Sequence, residues 1–345
     1  APAHIRARAD IAARADIAVL GAGSWGTALA IQCVRAGRIA RLWGRDSAHI
    51  DTLARERINR RYLPAAAFPD GLHPTASLQA ALDGVDDVLV AVPSDAFRQL
   101  LTRLKPLLPA SMPLCWATKG FELDSGKLPN EVAREVLGPG RPVAVLSGPT
   151  FATEVGAGLP TAMTIASPEG DYAQKLAHYL SSSTFRAYIS SDITGVEVGG
   201  AVKNVLAIGA GLSDGLGFGA NTRIALITRG LTEMTRLGVA LGAQRETFMG
   251  LAGLGDLVLT CTDNHSRNRR FGLALARGSP VEEALRDIGQ VVEGYHAARA
   301  LRRVAAREQV VMPIADGIYG VLYEQLPAEQ VVRGMMMRPI KAEFD

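Results

Sequence analysis

A glycine-rich turn between a short apolar strand and a helix constrains the fold of this chain more than any other feature of its sequence. The run Ile17–Leu20 is apolar and stops at the sequence GAGSWG, residues 21–26. Thr27–Ala36 has a helix-forming composition, and Ile39–Trp43 has the composition of a second strand. A strand, a glycine turn, a helix and another strand within about 30 residues predict a βαβ unit.

Each glycine of this turn has a predicted purpose. Gly21 allows the tight turn, Gly23 lets a pyrophosphate approach the backbone, and Gly26 lets the helix pack on the strand. The phosphates would lie at the helix N-terminus, where unpaired amides and the helix dipole favour negative charge. The pattern predicts a dinucleotide site; an unrelated strand–helix turn is the alternative, and the position between a strand and a helix disfavours it.

Apolar strands continue to alternate with helical stretches as far as about residue 191. A helix is predicted at Phe97–Leu104. Continuous apolar strands that alternate with helices are typical of a parallel sheet covered on both faces, which binds ligands beyond the carboxyl ends of its strands. The predicted fold class is therefore α/β with a doubly wound parallel sheet. The further predicted strands are Asp87–Val92, Leu114–Ala117, Val143–Leu146, Thr161–Ile165 and Phe185–Ile189.

Strand patterns disappear after about Ser191, and the remainder predicts an all-α domain. We therefore expect an N-terminal extension at residues 1–16, a dinucleotide-binding domain at 17–191 and a helical substrate-binding domain at 192–345. The extension carries the sequence ARADIA twice, at Ala7–Ala12 and Ala13–Ala18, and lacks the apolar core of a signal peptide. The predicted C-terminal helices are Val196–Ala210, Thr222–Leu237, Ser266–Arg277, Val281–Arg286, Ala297–Arg307 and Pro313–Tyr323.

Composition excludes several classes of protein. The net charge of +3 is scattered along 345 residues, so no basic face for nucleic acid is predicted. No apolar run approaches the ~18 residues of a membrane helix, so no membrane insertion is expected. Cys33, Cys115 and Cys261 are too far apart for a metal motif or a disulfide framework, which favours a reducing, cytoplasmic location.

Two basic residues follow predicted strands and therefore face the expected ligand edge of the sheet. Arg45 follows the second strand, where an acidic residue would favour NAD and a basic one can meet the 2′-phosphate of NADP. This favours NADPH, with NAD tolerated, unless Arg45 is a solvated turn residue. Lys119 follows the strand Leu114–Ala117 and could hold a phosphate or polarise a carbonyl; a surface lysine in a turn is equally consistent.

Lys203 is the strongest candidate for proton transfer. It lies in the stretch VEVGGAVKNVL, residues 196–206, whose other positions near it are mostly apolar. An isolated lysine there would be partly desolvated, which lowers the pKa of an ammonium group toward neutrality. Gly199 and Gly200 each weaken a helix by roughly 1 kcal/mol relative to alanine, so a close approach is expected there. A lysine that extends to solvent from the helix edge is the alternative.

A further polar group of residues surrounds a second glycine turn. Asp256 follows GLG and could hold a lysine or a substrate hydroxyl, or form only an Asx turn. Ser266 can cap the following helix, and Arg267, Asn268 and the free amides there would bind an anion. The alternative for the arginines is a basic helix face. His265 has no partner at metal spacing, and no metal site is predicted.

Together these motifs resemble the bacterial NAD(P)-dependent glycerol-3-phosphate dehydrogenases. The resemblance covers roughly Ile17–Lys341 and implies a Rossmann domain followed by a helical domain. It also implies reduction of dihydroxyacetone phosphate to sn-glycerol 3-phosphate, for phospholipid synthesis. The segments that carry the resemblance are GAGSWGTALA, VPSDAFR, ATKGFE, LSGPTFATEV, GVEVGGAVKNVLAIGAG, GLAGLGDLVLTCT, SRNRRFG and GQVVEG.

The resemblance assigns roles to individual residues. Lys203 would be the proton donor and acceptor, and position 45, often His in relatives, is Arg here. Contacts to substrate are implied for Lys119, Gly148, Thr150, Lys203, Asp256, Ser266, Arg267 and Asn268. Contacts to the dinucleotide are implied for Gly21, Gly23, Ser24, Trp25, Gly26, Arg45, Lys119, Ala152, Arg267, Val291 and Glu293.

Two rival functions remain at this point. A related two-domain reductase of a β-hydroxy acid or of ketopantoate would need a carboxylate site in place of a phosphate site. A nucleotide-sensing module without catalysis would tolerate loss of Lys203. The expected partner is a small phosphorylated substrate. Formation of a homodimer is possible, and the sequence does not decide it.

Overall fold

The computed structural model describes residues 15–337, 339–340 and 342, so the first ARADIA copy lies outside the described residues. The chain forms two compact units. One contains the described residues up to Lys119 together with Pro129–Val196, and the other contains Gly120–Leu128 and the described residues from Glu197 onward. The predicted domain boundaries, between residues 16 and 17 and between residues 191 and 192, remain predictions. The first unit is not continuous in sequence, however, because residues 120–128 belong to the second unit.

The first unit is built on an eight-stranded sheet in the order β10-β9-β8-β7-β6-β1-β2-β5. β1 lies between β2 and β6 and is parallel to both, so the strand order reverses at this point. Such a reversal is where open α/β sheets bind ligands. The strands are β1 (Ile17–Leu20), β2 (Ala40–Trp43), β3 (Ile58–Asn59), β4 (Leu63–Ala67), β5 (Leu72–Thr75), β6 (Asp87–Val90), β7 (Leu114–Trp116), β8 (Val143–Ser147), β9 (Thr161–Ala166) and β10 (Phe185–Ser190).

The predicted parallel sheet is confirmed, and one pair of strands at its edge is antiparallel. β9 pairs antiparallel with β8, with Ser147 opposite Thr164, and β10 is parallel to β9. The connection between β8 and β9, residues 148–160, contains a short helix and begins and ends at the same edge of the sheet, so β9 runs back against β8. Gly148 begins this connection with a φ of +153°, and a Cβ there would lie 3.0 Å from the Cα of Met163 in β9. Apolar content predicts that a strand is buried, but not its direction.

Helices cover the sheet, and a separate hairpin of β3 and β4 packs near them. The sequence predicts α1 and α4, though with somewhat different ends, and misses the hairpin, β5 and the other helices. The helices of this unit are α1 (Ser24–Arg35), α2 (Ser47–Glu56), α3 (Leu78–Leu82), α4 (Ser94–Leu104), α5 (Pro129–Leu137), α6 (Ala152–Ala157) and α7 (Gly170–Leu180).

The second unit is helical, as predicted. Phe121 and Leu128, from the stretch 120–128, are buried in its apolar core. A 3₁₀ turn at Arg245–Met249 and a π turn at Leu251–Gly255 precede α10. The helices are α8 (Ile193–Gly215), α9 (Gly219–Ala240), α10 (Asp256–Thr262), α11 (Arg267–Ala276), α12 (Val281–Ile288), α13 (Glu293–Arg307), α14 (Pro313–Tyr323) and α15 (Ala328–Met336).

One helix of the described residues, α8, is long and apolar enough to cross a membrane by length and composition. No such stretch is expected from the sequence. However, 89% of its apolar window is buried inside the protein, as is usual for the core helix of a soluble protein. Its apolar character is therefore explained by the core of the helical unit.

All three cysteines are buried free thiols. Burial raises the pKa of Cys33 and of Cys261 to about 12, and that of Cys115 well above its usual value. They are therefore protonated at neutral pH and unsuited to nucleophilic chemistry.

Candidate active site

Two glycines of the GAGSWG turn are required by the protein itself. Gly21 follows β1 with a φ of +130°, and a Cβ there would lie 2.4 Å from the carbonyl oxygen of Ala91. A Cβ at Gly26 would lie 1.8 Å from the carbonyl oxygen of Gly21, so α1 could not start so close to β1. These contacts bear out the tight turn and the close packing that the sequence predicts.

Gly23 differs, because nothing in the protein requires a glycine there. Its φ is −80°, an ordinary value, and a Cβ would meet no atom within 4 Å. The turn is partly exposed, and the first turn of α1 has neither an acidic residue nor a side-chain cap. Room beside Gly23 and amides at the helix N-terminus fit a pyrophosphate, as the sequence analysis expects.

Trp25 adds a polar group at the same place. Its indole ring packs partly buried against the core of the first unit. Its Nε1 atom is buried and has no hydrogen-bond partner among the described residues. Buried indole N–H groups usually have a partner, so a ligand acceptor at this turn would satisfy it.

Arg45 is the exposed charge beyond the end of β2. The next residue, Asp46, caps α2 by accepting a hydrogen bond from the backbone N–H of His49 at 3.1 Å. That carboxylate is thus engaged at the helix end, while the Arg45 side chain is exposed to solvent and to ligands. The arrangement is compatible with a 2′-phosphate and with the solvated-turn alternative.

The other strand ends of the first unit carry the remaining predicted residues. Lys119 follows β7 and is partly exposed, beyond Thr118, whose Oγ1 donates to the carbonyl of Val92 at 2.7 Å. Thr150 donates to the carbonyl of Gly148 at 3.3 Å, beyond β8. β6, β7 and β8 run parallel to β1, so these residues lie at the same edge of the sheet as the glycine turn. Ala152 is the first residue of α6.

In the second unit, Lys203 is only 6% exposed and contacts two side chains. Its Nζ donates to the carboxylate of Asp256 and, at 3.1 Å, to Oγ1 of Thr260. The expectation of an isolated ammonium is therefore wrong, and so is the alternative of a solvent-reaching lysine. A buried ammonium without a counter-ion would cost several kcal/mol, and the carboxylate offsets that cost. One of the options open for Asp256, that it holds a lysine, is correct.

Close backbone contact brings the two charges together. A Cβ at Gly199 would lie 2.4 Å from the carbonyl oxygen of Ala252, in the π turn just before Asp256. Gly199 is one helical turn before Lys203, so both residues occupy the same face of α8. The close approach predicted from this glycine is thus confirmed. Thr260 donates to the backbone carbonyl of Asp256 at 2.6 Å and fixes the start of α10.

The SRN segment is anchored at the start of α11. Ser266 caps the helix, as predicted, by accepting from the backbone N–H of Arg269 at 3.2 Å. Arg267 is partly exposed and donates to Oε1 of Gln290 at 3.3 Å. Asn268 is buried, accepts from the backbone N–H of Gly294 at 2.8 Å, and donates to Oδ1 of Asn204 at 3.0 Å.

Asn204 links this segment to the start of α13. Its Nδ2 donates to Oε2 of Glu293 at 3.0 Å. Asn204, Asn268 and Glu293 are therefore joined in one hydrogen-bond network beside Lys203, whereas Val291 is 49% exposed. From the sequence, Asn204 could be either a second polar contact beside Lys203 or an ordinary helix residue, and the structure shows the polar contacts.

Arg269 shows that the arginines of this segment do not form a simple basic face. It is buried, pairs with the carboxylate of Asp214 at 2.5 Å, and donates through Nε to the carbonyl of Cys261 at 3.1 Å. The sequence gives no signal for this burial, because Arg269 and its exposed neighbour Arg270 are the same residue type. Thr260 is also missed, although its position four residues after Asp256 places both on one helix face.

Comparison with known proteins agrees with this geometry over nearly the whole chain. The N-terminal model of NAD-dependent glycerol-3-phosphate dehydrogenase matches residues 16–173, and the C-terminal model matches residues 192–333. The chain belongs to the NAD-dependent glycerol-3-phosphate dehydrogenase family.

Individual relatives are similar across their full length. The glycerol-3-phosphate dehydrogenase (NAD(P)+) of Aeromonas salmonicida is 54% identical over 328 residues, which are 95% of this chain and 98% of that protein. The enzyme of the same name from Klebsiella pneumoniae is 54% identical over 333 residues, 96% of this chain and 98% of that protein. The crystal structure of glycerol-3-phosphate dehydrogenase from Coxiella burnetii has a TM-score of 0.91 at 48% identity, covering 94% of this chain and 99% of that one.

These findings confirm the predicted family, fold class and reaction class. The chain is an oxidoreductase that uses NAD or NADP, and the reaction of its family is the reduction of dihydroxyacetone phosphate to glycerol 3-phosphate. The family models that match both units favour this reaction over the rival hydroxy-acid and ketopantoate reductases.

Proposed function

We propose that this chain reduces dihydroxyacetone phosphate with NADPH or NADH, and that Lys203 transfers the proton. The observation that carries this proposal is the buried ammonium of Lys203, held by the Asp256 carboxylate and the Thr260 hydroxyl. Two directional partners fix where the ammonium lies, and proton transfer requires a donor within hydrogen-bond reach of the reacting oxygen.

The chemistry divides between cofactor and protein. When bound, the reduced nicotinamide supplies the hydride that adds to C2 of the substrate carbonyl. The ammonium of Lys203 then donates a proton to the alkoxide oxygen at C2, and in the reverse direction the neutral amine accepts it. The Asp256 carboxylate would stabilise the charged lysine before transfer. The positive charge of Lys119 and oriented backbone amides would offset charge that develops on the oxygen.

The phosphate of the substrate requires a separate cationic site. We assign it to Arg267 and the N-terminus of α11, where a guanidinium can bind phosphate through two parallel hydrogen bonds. Gly148, Thr150, Ser266 and Asn268 complete the proposed substrate contacts. The side chains of Ser266 and Asn268 already bond to the protein, so their main contribution would be to hold Arg267 and the helix start in place.

The dinucleotide would bind at the glycine turn of the first unit. We assign its pyrophosphate to the backbone at Gly21, Gly23 and Gly26, and its further contacts to the residues after other strand ends. NADPH is the preferred cofactor in this proposal, because the exposed guanidinium of Arg45 can pair with a 2′-phosphate. The further assigned contacts are Ser24, Trp25, Arg45, Lys119, Ala152, Arg267, Val291 and Glu293.

Loss of the lysine tests the proposed chemistry. We expect Lys203→Ala to remove most of kcat, by about 10²-fold or more, because the alkoxide then lacks its proton donor. Dinucleotide affinity, measured by fluorescence titration, should stay close to that of the wild type. Thermal unfolding of the variant is needed as a control, because Asp256 loses its buried counter-ion. Unchanged turnover would refute the role of Lys203.

Steady-state kinetics with each dinucleotide test substrate and cofactor together. We expect NADPH oxidation with dihydroxyacetone phosphate and little with keto acids such as ketopantoate, since the proposed anion site is built for phosphate. A lower KM for NADH than for NADPH would refute the preference assigned to Arg45.

In the cell, the product would supply phospholipid synthesis in the cytoplasm. A homodimer remains an expectation that sedimentation analysis can test.

A further inference from the structure

A buried amide lies directly beneath the glycine turn. Asn59, at the end of β3, is 0% exposed. Its Nδ2 donates to the backbone carbonyl of Ala22 at 3.1 Å and to Oγ1 of Thr27 at 2.9 Å. Its Oδ1 accepts from the backbone N–H of Tyr62 at 3.3 Å. One side chain from the hairpin thus contacts the turn, the first helical turn of α1 and its own hairpin.

Its neighbours allow only one orientation of this amide. The carbonyl of Ala22 can only accept a hydrogen bond, and the backbone N–H of Tyr62 can only donate one. The amide nitrogen must therefore face the glycine turn and the amide oxygen must face the hairpin. All three hydrogen-bonding groups of the Asn59 side chain, two N–H and one oxygen, have partners, and rotation of the amide would break the bonds to Ala22 and Tyr62.

The bond to Ala22 also determines the direction of the next amide. The carbonyl of Ala22 and the N–H of Gly23 belong to one peptide group, and among the described residues no peptide bond is cis. In a trans peptide the C=O and N–H groups point in opposite directions. While Asn59 holds the carbonyl of Ala22 on the protein side, the N–H of Gly23 is directed to the other side.

That other side is open. A Cβ on Gly23 would meet no protein atom within 4 Å, and the residue is partly exposed. We propose that Asn59 is a positioning residue for the dinucleotide, which sets the peptide plane between Ala22 and Gly23 so that the Gly23 amide faces the pyrophosphate before the cofactor binds. Preorganised donors bind an anion more tightly because no ordering cost is paid on binding.

The hairpin that carries Asn59 is itself held by packing. Leu63, in β4, is 1% exposed, and its Cδ2 lies 2.9 Å from the position of a Cβ on Gly156 of α6. His49 of α2 packs edge-on against Tyr62, with ring centroids 5.6 Å apart. These contacts keep Asn59 in place when no ligand is bound.

The experiment compares two buried amides, one that contacts α1 from the hairpin and one that lies on α1 itself. Asn59→Ala removes the amide beneath the turn. The matched control is Gln32→Ala, since Gln32 is 1% exposed and donates to the carbonyl of Leu180 at 2.8 Å and to Oγ of Ser182 at 3.1 Å. Its partners lie at the end of α7 and just after it, not in the glycine turn. Asn59→Ala loses two donated hydrogen bonds and one accepted bond, and Gln32→Ala loses two donated bonds, so both should lower the unfolding temperature, Asn59→Ala somewhat more.

Only the first variant should lose dinucleotide affinity. For Asn59→Ala we expect the Kd for NADPH, from fluorescence titration of the ligand-free protein, to rise about tenfold, which is the effect of one lost oriented hydrogen bond to an anion. ADP-ribose carries the pyrophosphate without the nicotinamide and should lose affinity by the same factor. Gln32→Ala should stay within about twofold, and KM for dihydroxyacetone phosphate at saturating NADPH should be unchanged in both.

Two results would overturn the proposal. One is an unchanged Kd for NADPH in Asn59→Ala, and the other is an equal loss of affinity in both variants. Should Asn59→Ala fail to fold, Asn59→Asp keeps the size and the acceptor for Tyr62 but turns an acceptor toward the carbonyl of Ala22. We expect the same loss of affinity from it, and wild-type affinity in Asn59→Asp would overturn the proposal as well.

Discussion

The carboxylate that neutralises Lys203 lies 53 positions further along the chain. Neither charge would be stable alone in this core, because removal of one partner of a buried ion pair typically costs about 3–5 kcal/mol. The pair is therefore expected to add little net stability. Its effect is to keep a charged amine in an apolar environment. The proposed proton transfer to an alkoxide depends on this charged amine.

Arg267 offers a test of phosphate binding that is nearly independent of stability. The side chain is partly exposed, and it donates at 3.3 Å to the side chain of Gln290, a neutral acceptor at the surface. We expect Arg267→Ala to raise KM for dihydroxyacetone phosphate by about 10–100-fold, and that for unphosphorylated dihydroxyacetone far less. Steady-state kinetics with both substrates measure the difference.

The adjacent Arg270 is exposed on the same helix and provides a matched control. Arg270→Ala should leave both KM values unchanged. Equal increases for the two substrates in Arg267→Ala would show that the arginine does not contact the phosphate.

Residues whose role follows from local geometry could be predicted from the sequence. Gly21 and Gly26 sit in a known motif, and Ser266 precedes a helix that needs a cap. Lys203 is predicted to be buried because its neighbours along the helix are apolar. Asn59 and Arg269 could not be predicted, because a polar residue in a polar stretch does not show that tertiary contacts bury it.

At the scale of elements, the position of a strand is easier to predict than its direction. The runs that form β9 and β10 are predicted as strands that extend the sheet, and they do. The antiparallel direction of β9 follows from the connection at residues 148–160, which starts and ends at the same edge of the sheet although it contains a helix. The sequence also misses the hairpin of β3 and β4, since proline and alanine at Leu63–Ala67 are atypical of strands.

Two helices of the second unit are joined by a buried carboxylate. Glu233 of α9 is 2% exposed and accepts from the backbone N–H groups of Ile314 at 2.8 Å and Ala315 at 3.2 Å. It thereby caps α14 from another helix. Burial raises the pKa of Glu233 to about 7, although these backbone bonds and Arg236 favour the charged form.

This carboxylate predicts a pH dependence of stability. Because the folded pKa lies above the unfolded one, its contribution is complete below about pH 4.5 and is lost as the pH rises to about 7. We expect Glu233→Gln, which cannot ionise, to gain stability relative to the wild type across this window, by up to about 3 kcal/mol. Urea unfolding at several pH values measures the gain. A constant difference between the two proteins at every pH would contradict it.

At the scale of the molecule, the chain does not complete one unit before it starts the next. The stretch 120–128 joins the helical unit, where Phe121 is 1% exposed and Arg303 donates to the carbonyl of Leu123 at 2.8 Å. Sequence order alone assigns this stretch to the first domain, because the strands on both sides of it belong there. Only the packing of its apolar side chains shows otherwise.

Phe121→Ala tests this assignment. We expect it to destabilise the helical unit by about 3–5 kcal/mol, as is typical for loss of a buried phenylalanine. Hydrogen exchange should accelerate in the core helices α8 and α13. The matched control is Phe97→Ala in the first unit, where Phe97 is 2% exposed and packs against Trp116. Faster exchange of the sheet amides in Phe121→Ala, with the helices unaffected, would contradict the assignment.

The discontinuous unit has a consequence for gene-level engineering. A chimaera made with a single crossover near residue 196 would combine the helices of one parent with the Gly120–Leu128 stretch of the other. Phe121 and Leu128 would then meet a core shaped for different side chains. Exchange of the helical unit between homologues therefore needs three crossover points, before residue 120, after residue 128 and near residue 196. The stretch Gly120–Leu128 then comes from the same parent as the helices it packs against.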